Sequence, residues 1–208
     1  MNQWKVVRLG LFVFLSTILV ACATLGGATS TAVPTNTLVP TATLAPTDTA
    51  TLTPAPTATS TPPAVMLSAP YQGESSGIKF TIQPPAGWEK DPDPSQIVWH
   101  APGSVDELTI SNSSSNGLSA KGISNAAVDL MKVDKSAIIA QGDFTTASKL
   151  DAYKTDFKMT ANGVDVIVVL YVIHQEPSIV SVTFVRLPTE SSDIDNLVDA
   201  SVSTITIP

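Results

Sequence analysis

The chain has 208 residues, and its eighteen Asp and Glu against eleven Lys and Arg leave a net charge of -7 at pH 7. An acidic protein of this kind repels nucleic acid and anionic lipid headgroups, so neither is an expected partner. A single cysteine excludes an intrachain disulfide. A folded domain in this chain must therefore be held together by its hydrophobic core.

The N-terminus has the pattern of a targeting segment. Lys5 and Arg8 precede an apolar run of twelve residues at 9–20. A membrane-spanning helix needs about 20 apolar residues, so this run is too short to span and fits the apolar region of a signal peptide. We predict a signal peptide at residues 1–21, whose removal leaves nine cations against eighteen acids.

Leu19, Val20, Ala21 and Cys22 follow one another at the end of this run. The four residues resemble the lipobox of bacterial lipoproteins, which implies cleavage after Ala21 and attachment of diacylglycerol and fatty acids such as palmitate to Cys22. Two or three acyl chains would anchor the protein stably, whereas one chain binds only marginally. The alternative is an ordinary signal peptide cut near Ala21 or Ala23, with Cys22 incidental.

The next segment is predicted to be a disordered linker at residues 22–64. Thirteen Thr and seven Pro fall within residues 29–63, with one charge and no aromatic residue. Such a sequence buries too little apolar surface to offset the entropy of ordering, and its prolines favour extended conformations. The linker would therefore act as a spacer between the anchor and a globular domain at residues 65–208.

The predicted domain begins with an alternating segment at residues 77–82, which is typical of a half-buried strand. Pro85 and Gly87 form a turn after it, and Trp88 follows at once. A strand, a Pro-x-Gly turn and a Trp in this order resemble the opening of the PsbP-like superfamily. The resemblance covers roughly residues 77–207 by pattern of elements, and implies a domain that binds partners rather than one that turns over substrate.

Two more short strands are predicted at residues 96–101 and 107–111, and with the first strand they would form a meander. The polar residues 112–117 are predicted to be a loop. A helix follows, with either Ser124 or Ser119 as its N-cap. The apolar face of this helix contains Ile123, Ala127, Leu130 and Met131.

The second half is predicted to contain a strand at residues 138–144 and a long hairpin. Its first arm alternates over 153–159, and Asn162-Gly163 is a strong hairpin signal because both residues tolerate positive φ. The second arm, 164–175, is apolar on both faces and is expected to be the central strand, followed by a strand at 179–185. A last helix presents Ile194, Leu197, Val198, Val202 and Ile205 at helical spacing.

These elements predict an α+β domain in which two helices pack against an antiparallel sheet. The PsbP-like resemblance implies the same order of elements. The alternative is another small domain of antiparallel sheet and helices.

No catalytic set is evident in the sequence. His100 and His174 lie at strand ends, and no metal-binding or phosphate-binding motif is present. Four acidic residues, Asp91, Asp93, Asp106 and Glu107, are interpreted as solvated turn residues rather than calcium ligands. Trp88 and Trp99 are candidates for lining a ligand groove, although core positions are the competing interpretation. We predict no cofactor and no metal.

The leading hypothesis is a lipid-anchored protein on the extracytoplasmic side of a bacterial membrane. Its domain would be a non-enzymatic binding or accessory domain for an envelope protein or a small ligand. The alternative is an extracytoplasmic hydrolase or metal-dependent enzyme, which requires titratable groups converging near Ser113, Asp106 or His100. A purely structural role in the envelope is not separable from the first hypothesis by sequence.

Overall fold

The computed structural model describes residues 65–208, so the predicted signal peptide, the lipobox residues and the predicted linker lie outside the described part of the chain. In chain order its elements are β1 (Tyr71–Ser75), β2 (Ile78–Ile82), β3 (Glu89–Lys90), β4 (Ile97–His100), β5 (Glu107–Ser114), α1 (Ala120–Leu130), a short 3-10 helix (Lys135–Ala137), β6 (Ile138–Asp143), β7 (Asp151–Ala161), β8 (Val164–Gln175), β9 (Ser178–Arg186) and α2 (Ser192–Ser203).

Seven strands form one antiparallel sheet in the order β3-β4-β5-β9-β8-β7-β6. Among the named strands, β1 and β2 pair only with each other, with Gly73 opposite Phe80. The predicted meander was therefore wrong for residues 77–82, because that segment belongs to a separate hairpin. β1 and the two-residue β3 were not predicted from the sequence.

The long hairpins agree with the prediction from alternation and turn chemistry. Asn162 and Gly163 have φ values of 52° and 80° and connect β7 to β8. β8 is an interior strand, with β7 on one side and β9 on the other. The middle of the seven strands is β9, however, so β8 lies next to the centre of the sheet rather than at it.

The two faces of the sheet carry separate hydrophobic clusters, because alternate side chains of β8 point in opposite directions. One cluster contains Tyr171 of β8 together with Val198 and Val202 of α2, all fully buried. The other contains Val168 of β8 together with Ile123 of α1. Burial of each such apolar side chain contributes roughly 1.5–3 kcal/mol. Two helices therefore pack on one antiparallel sheet, which confirms the predicted α+β class.

The first helix begins at the earlier of the two predicted caps. The Ser119 side chain accepts a hydrogen bond from the N–H of Gly122 at 3.2 Å, which satisfies one free donor of the first turn. The alternative cap, Ser124, was wrong. It lies inside the helix, is fully buried, and its hydroxyl is 2.8 Å from that of Thr155 on β7.

The polar residues 112–117 were predicted to be a loop, but β5 continues through this segment as far as Ser114. Asn112 pairs with Val180 and Ser114 with Ser178 of β9. The Asn112 amide also donates to the carbonyl of Ile78 at 3.0 Å. Hydrogen bonding to an apolar neighbouring strand therefore extends β5 despite its polar composition.

The C-terminal residues tie α2 to the small hairpin. Thr206 forms an antiparallel bridge with Thr81 of β2, with hydrogen bonds of 3.0 and 3.1 Å. Both backbone groups of Gln83 are bonded to α2 and the residue after it. The Ser201 hydroxyl donates to the Gln83 carbonyl at 2.6 Å, and the Gln83 N–H donates to the Thr204 hydroxyl at 2.8 Å. Together with the core contacts, these bonds hold the β1–β2 hairpin on the α2 face of the sheet.

Candidate functional site

Several groups of polar side chains are connected in the described part of the chain, and the first surrounds His174 at the end of β8. Its Nδ1 is 3.1 Å from Oδ2 of Asp151, and its Nε2 is 3.2 Å from Oε1 of Glu176. The Ser115 hydroxyl donates to Oε2 of Glu176 at 2.6 Å. We call Ser115, Asp151, His174 and Glu176 the His174 network.

The His174 network links α1 to the sheet. Oδ2 of Asp151, at the start of β7, also accepts a hydrogen bond from the N–H of Ala120, the first residue of α1, at 3.1 Å. A carboxylate at this position is stabilised by the positive end of the helix dipole. The hydrogen bond from Ser115 is the largest factor that lowers the pKa of Glu176, and His174 lowers it further.

The order of groups in the His174 network does not match a catalytic serine site. A serine nucleophile is activated when its hydroxyl is hydrogen-bonded to a general base. Here Ser115 donates to Glu176, and Glu176 stands between the hydroxyl and the imidazole of His174. The arrangement holds the imidazole between two carboxylates and thereby connects two strand ends to a helix N-terminus.

The second group surrounds His100 at the end of β4. Its Nε2 lies 3.4 Å from Oδ2 of Asp91 and its Nδ1 lies 3.7 Å from Oε2 of Glu107. His100 is in register with Glu107 of β5. Ser113 lies six residues further along the same strand, about 20 Å away at the usual rise of a strand. Ser113 therefore lies apart from His100, whereas the carboxylates of Asp91 and Glu107 do converge on His100.

Two of the four acids interpreted as solvated are buried, and that interpretation was wrong for them. Asp106 is 1% exposed and Glu107 is 6% exposed. Burial raises the pKa of Asp106, because the charged form loses its hydration. The hydroxyl of Thr109 donates to Oε1 of Glu107 at 3.1 Å. Asp93, in contrast, is exposed and accepts from Ser95 within its own turn.

The third group, which we call the α2 network, connects α2 to the sheet. Asp199 accepts hydrogen bonds from Tyr171 at 2.6 Å and from Lys154 at 2.9 Å. Arg186 forms a bidentate pair with Asp195, with distances of 2.7 and 2.8 Å. Asp195 and Asp199 are four residues apart, so they share a face of the helix.

Asp156 lies beside the α2 network, and its partial burial shifts its pKa. Its Oδ2 is 3.9 Å from Nζ of Lys154, while its Oδ1 is buried without a hydrogen-bond partner. Burial raises the pKa of Asp156, and the charge of Lys154 partly opposes that shift. The sequence analysis did not single out these residues. The available signal was a pair of acids four apart on α2 and the Lys-x-Asp pattern on β7.

The two tryptophans proposed for a ligand groove lie on the α2 side of the sheet. Trp99 is 3% exposed and packs edge-on against Tyr71, with ring centroids 5.1 Å apart. Trp88 is partly buried, 6.1 Å from the ring of Phe184. Trp99 therefore occupies a core position, and a ligand groove at this pair stays a prediction.

Two open grooves are formed by described residues. One, of about 480 Å³, lies between the β1–β2 hairpin and the C-terminal residues Thr206 to Pro208. The other, of about 520 Å³, lies between α1 and β6 and includes Val128, Lys135 and Ile138. Within residues 65–208, no three His, Cys, Asp or Glu side chains are grouped in a way that could hold a metal ion.

For the described residues, no helix combines the length and the hydropathy that crossing a bilayer requires.

The fold and these networks define a class: a small α+β domain whose histidines and buried acids connect its helices and strand ends. No protein-family model and no curated protein matches the chain. It is similar to solved structures at low identity. Cyanobacterial PsbP from Synechocystis is 10% identical with a TM-score of 0.48, and the match covers 69% of this chain and 95% of that one.

Two further solved structures are similar to the chain. A protein of unknown function from Pseudomonas aeruginosa is 16% identical with a TM-score of 0.44, covering 67% of this chain and 96% of that one. A structure from Bacteroides thetaiotaomicron is 10% identical with a TM-score of 0.47, over 69% of this chain. The chain spans 49% of the length of that last protein.

Proposed function

We propose that this protein is a bacterial lipoprotein, anchored by lipid on Cys22 to a membrane and facing outside the cytoplasm. Its α+β domain, of PsbP-like type, is a non-enzymatic binding or accessory domain for an envelope protein or a small ligand. The observation that carries the proposal is the position of the sole cysteine, directly after Leu19, Val20 and Ala21 at the end of a twelve-residue apolar run.

The linker composition supports this arrangement. The Thr- and Pro-rich residues 29–63 would reach on the order of 110 Å if fully extended at about 3.1 Å per residue. A spacer of that reach would let the domain contact partners well away from the lipid surface. The acidic balance of the domain also disfavours docking onto anionic headgroups.

The polar networks support a non-enzymatic role. In the described residues, Ser115 is bonded to a carboxylate, and His100 and His174 each lie between two carboxylates. The strongest ion pairs join α2 to the sheet. Ser115 and the two ion pairs join different parts of the domain, whereas Nδ1 of His100 and Nε2 of His174 are buried without a hydrogen-bond partner despite the nearby carboxylates. Networks that join strands and helices in this way fit a stable scaffold that presents its surface to a partner.

The anchor is tested by mass spectrometry of the N-terminal peptide of the native protein. We expect a peptide that begins at Cys22 and carries diacylglycerol, and fractionation of the protein with membranes. Cys22→Ser should abolish the lipid and leave an uncleaved precursor, whereas Ala23→Ser, next to it, should leave processing unchanged. A native N-terminus elsewhere with an unmodified thiol, in the aqueous fraction, contradicts the proposal.

The role of the domain is tested by cross-linking the full-length protein in intact membranes and identifying what it captures. We expect an envelope protein, or a ligand recovered with the purified protein. Substrate turnover that persists in both His100→Ala and His174→Ala variants would point to chemistry elsewhere. Turnover lost in either variant would favour the enzyme alternative.

A further inference from the structure

Asp156 is a partly buried acid on β7 whose carboxylate is poorly satisfied by its surroundings. Its Oδ1 is buried and has no hydrogen-bond partner among the described residues 65–208. Its Oδ2 is 3.9 Å from Nζ of Lys154, which is too long for a hydrogen bond. Ala140 lies opposite Asp156 on β6, and Lys158, on the same face of β7, is exposed. An ionised carboxylate here has lost part of its hydration without gaining equivalent bonds.

Asp199 of α2 competes with Asp156 for the same lysine. It accepts two hydrogen bonds from Nζ of Lys154, at 2.9 and 3.1 Å, and one from the hydroxyl of Tyr171 at 2.6 Å. Lys154 thus lies between a strand acid and a helix acid, and its bonds to Asp199 help to hold α2 on the sheet. An ionised Asp156 attracts the ammonium group away from Asp199, whereas a neutral Asp156 leaves it there.

The charges around Asp156 do not balance when every group is ionised. Two cations, Lys154 and Arg186, are shared among three carboxylates, those of Asp156, Asp195 and Asp199. Burial raises the pKa of Asp156 and the two acids of α2 raise it further, while the two cations oppose the shift. Uptake of one proton at Asp156 removes the excess negative charge and leaves the two cations to the acids of α2.

The position of α2 also matters for the β1–β2 hairpin, because the C-terminal end of the helix holds that hairpin. Ser201 and Thr204 bond both backbone groups of Gln83, and Thr206 pairs with Thr81. The groove of about 480 Å³ lies between the hairpin and the C-terminal residues. A helix that loosens on the sheet therefore also loosens the walls of this groove.

We propose that Asp156 is a proton switch: its protonation fastens α2 and the attached β1–β2 hairpin to the sheet, and its ionisation lets them open locally. The sign follows from the raised pKa of Asp156. The contribution of such an acid to stability is complete below pH 3.8 and is lost as pH rises through the folded-state pKa. The helix and the hairpin are therefore held more firmly near pH 4 than above the folded-state value.

Hydrogen exchange of the full-length protein, followed by mass spectrometry from pH 4 to pH 8, tests the switch. Asp156→Asn fixes the residue in a neutral form. Peptides of α2 and of the β1–β2 hairpin should exchange about threefold to tenfold more slowly in this variant at pH 8, since one pKa unit corresponds to a tenfold change. The ratio should approach one near pH 4. Comparing the variant with the unsubstituted protein at the same pH removes the effect of pH on intrinsic exchange.

Two further variants make the result specific. Asp129→Asn changes the net charge equally, but Asp129 is exposed on α1, which packs on the other face of the sheet. Exchange of α2 should not change in this control. Asp199→Asn leaves Lys154 to pair with Asp156, so the pH dependence of α2 exchange should largely disappear, even if α2 exchanges faster at every pH.

Four results would overturn the proposal. The first two are exchange of α2 unchanged by Asp156→Asn across the pH range, and an equal effect of Asp129→Asn. The third is an equal change in peptides of α1, which would mean that the whole domain opens rather than α2. The fourth is a pH dependence that persists in Asp199→Asn, which would exclude competition for Lys154. Failure here leaves the lipid anchor unaffected, since that is measured separately at Cys22.

Discussion

The hydroxyl of Tyr171 donates a hydrogen bond of 2.6 Å to Oδ1 of Asp199, which joins the interior strand β8 to α2. The ring of Tyr171 is fully buried and packs edge-on against Phe144, with centroids 5.1 Å apart. Burial raises the pKa of Tyr171, and Asp199 raises it further. The phenol therefore remains a neutral donor, and its polar end fixes the position of the helix.

Tyr171→Phe should lower the free energy of unfolding by about 1.5–3 kcal/mol, the usual range for a hydrogen bond to a charged group. The substitution keeps the aromatic packing and removes only the donor. Denaturant titration measures the change. Lys154 also donates a hydrogen bond to Asp199. Lys154→Met therefore provides a second variant, and a double-mutant cycle should show coupling between positions 154 and 171. Additive effects would argue against a shared network.

Asp106→Asn should stabilise the protein at pH 7 and have a smaller effect near pH 4. Burial raises the pKa of Asp106 above the ordinary 3.8. The folded state therefore holds the proton more tightly, and the contribution of Asp106 to stability is complete below pH 3.8 and is lost as pH rises through the folded-state pKa. Asparagine carries no charge at either pH. Urea titrations at the two pH values measure the difference.

Asp93→Asn is the control, because the pKa of Asp93 is shifted in the opposite direction to that of Asp106. The pKa of Asp93 is lowered by the hydrogen bonds from Ser95. Its contribution to stability is therefore present above pH 3.8 and is lost as pH falls through the lower folded-state value. This variant should lose stability at pH 7, and the same pH trend for both variants would contradict the assigned burial effect.

Ser119→Ala should destabilise the protein by about 0.5–2 kcal/mol, because the first turn of α1 loses its capping oxygen. Ser119→Asp retains an acceptor at the same position and should restore most of the stability. Thermal unfolding followed by circular dichroism distinguishes the two. If both substitutions cost the same, the hydrogen bond to Gly122 is not what stabilises the helix start.

Gly163→Ala should cost about 1–2 kcal/mol because the turn needs a left-handed residue, with φ of 80° at this position. Gly142→Ala is the matched control, since an added Cβ there meets no atom within 4 Å and its φ is not positive. That substitution should leave the free energy of unfolding nearly unchanged. A comparable loss at both positions would mean that the turn geometry is not the cause.

The strongest sequence signals concerned local structure. The β7–β8 hairpin was predictable from the Asn162-Gly163 turn and the two arms, because turn type and side-chain period are properties of neighbouring residues. The two apolar faces of β8 likewise indicated an interior strand. Asn112 and Ser114 were mispredicted because their strand conformation depends on hydrogen bonds to β9, more than sixty residues away in sequence.

The candidate site was predictable only in part. His100 and His174 were noticed as strand-end residues, but their carboxylate partners come from other strands and loops. Ser124 is of a residue type that often caps helices. It is nevertheless buried against Thr155, because the helix packs with that face on the sheet. The α2 network combines two acids on one helix face with residues from three strands, a convergence that spacing along the chain does not reveal.

The sequence by itself determined the acidic charge, the type of most long elements and hence the α+β class, and it predicted a targeting segment ending at Cys22, since these follow from local periodicity and composition. Only the tertiary structure decided that β1 and β2 form a separate hairpin, that Asp106 and Glu107 are buried, and that β6 is an edge strand of the sheet formed within residues 65–208. The physical reason is that pairing, burial and edge position depend on which distant segments meet, and those contacts are formed only when the sheet is assembled.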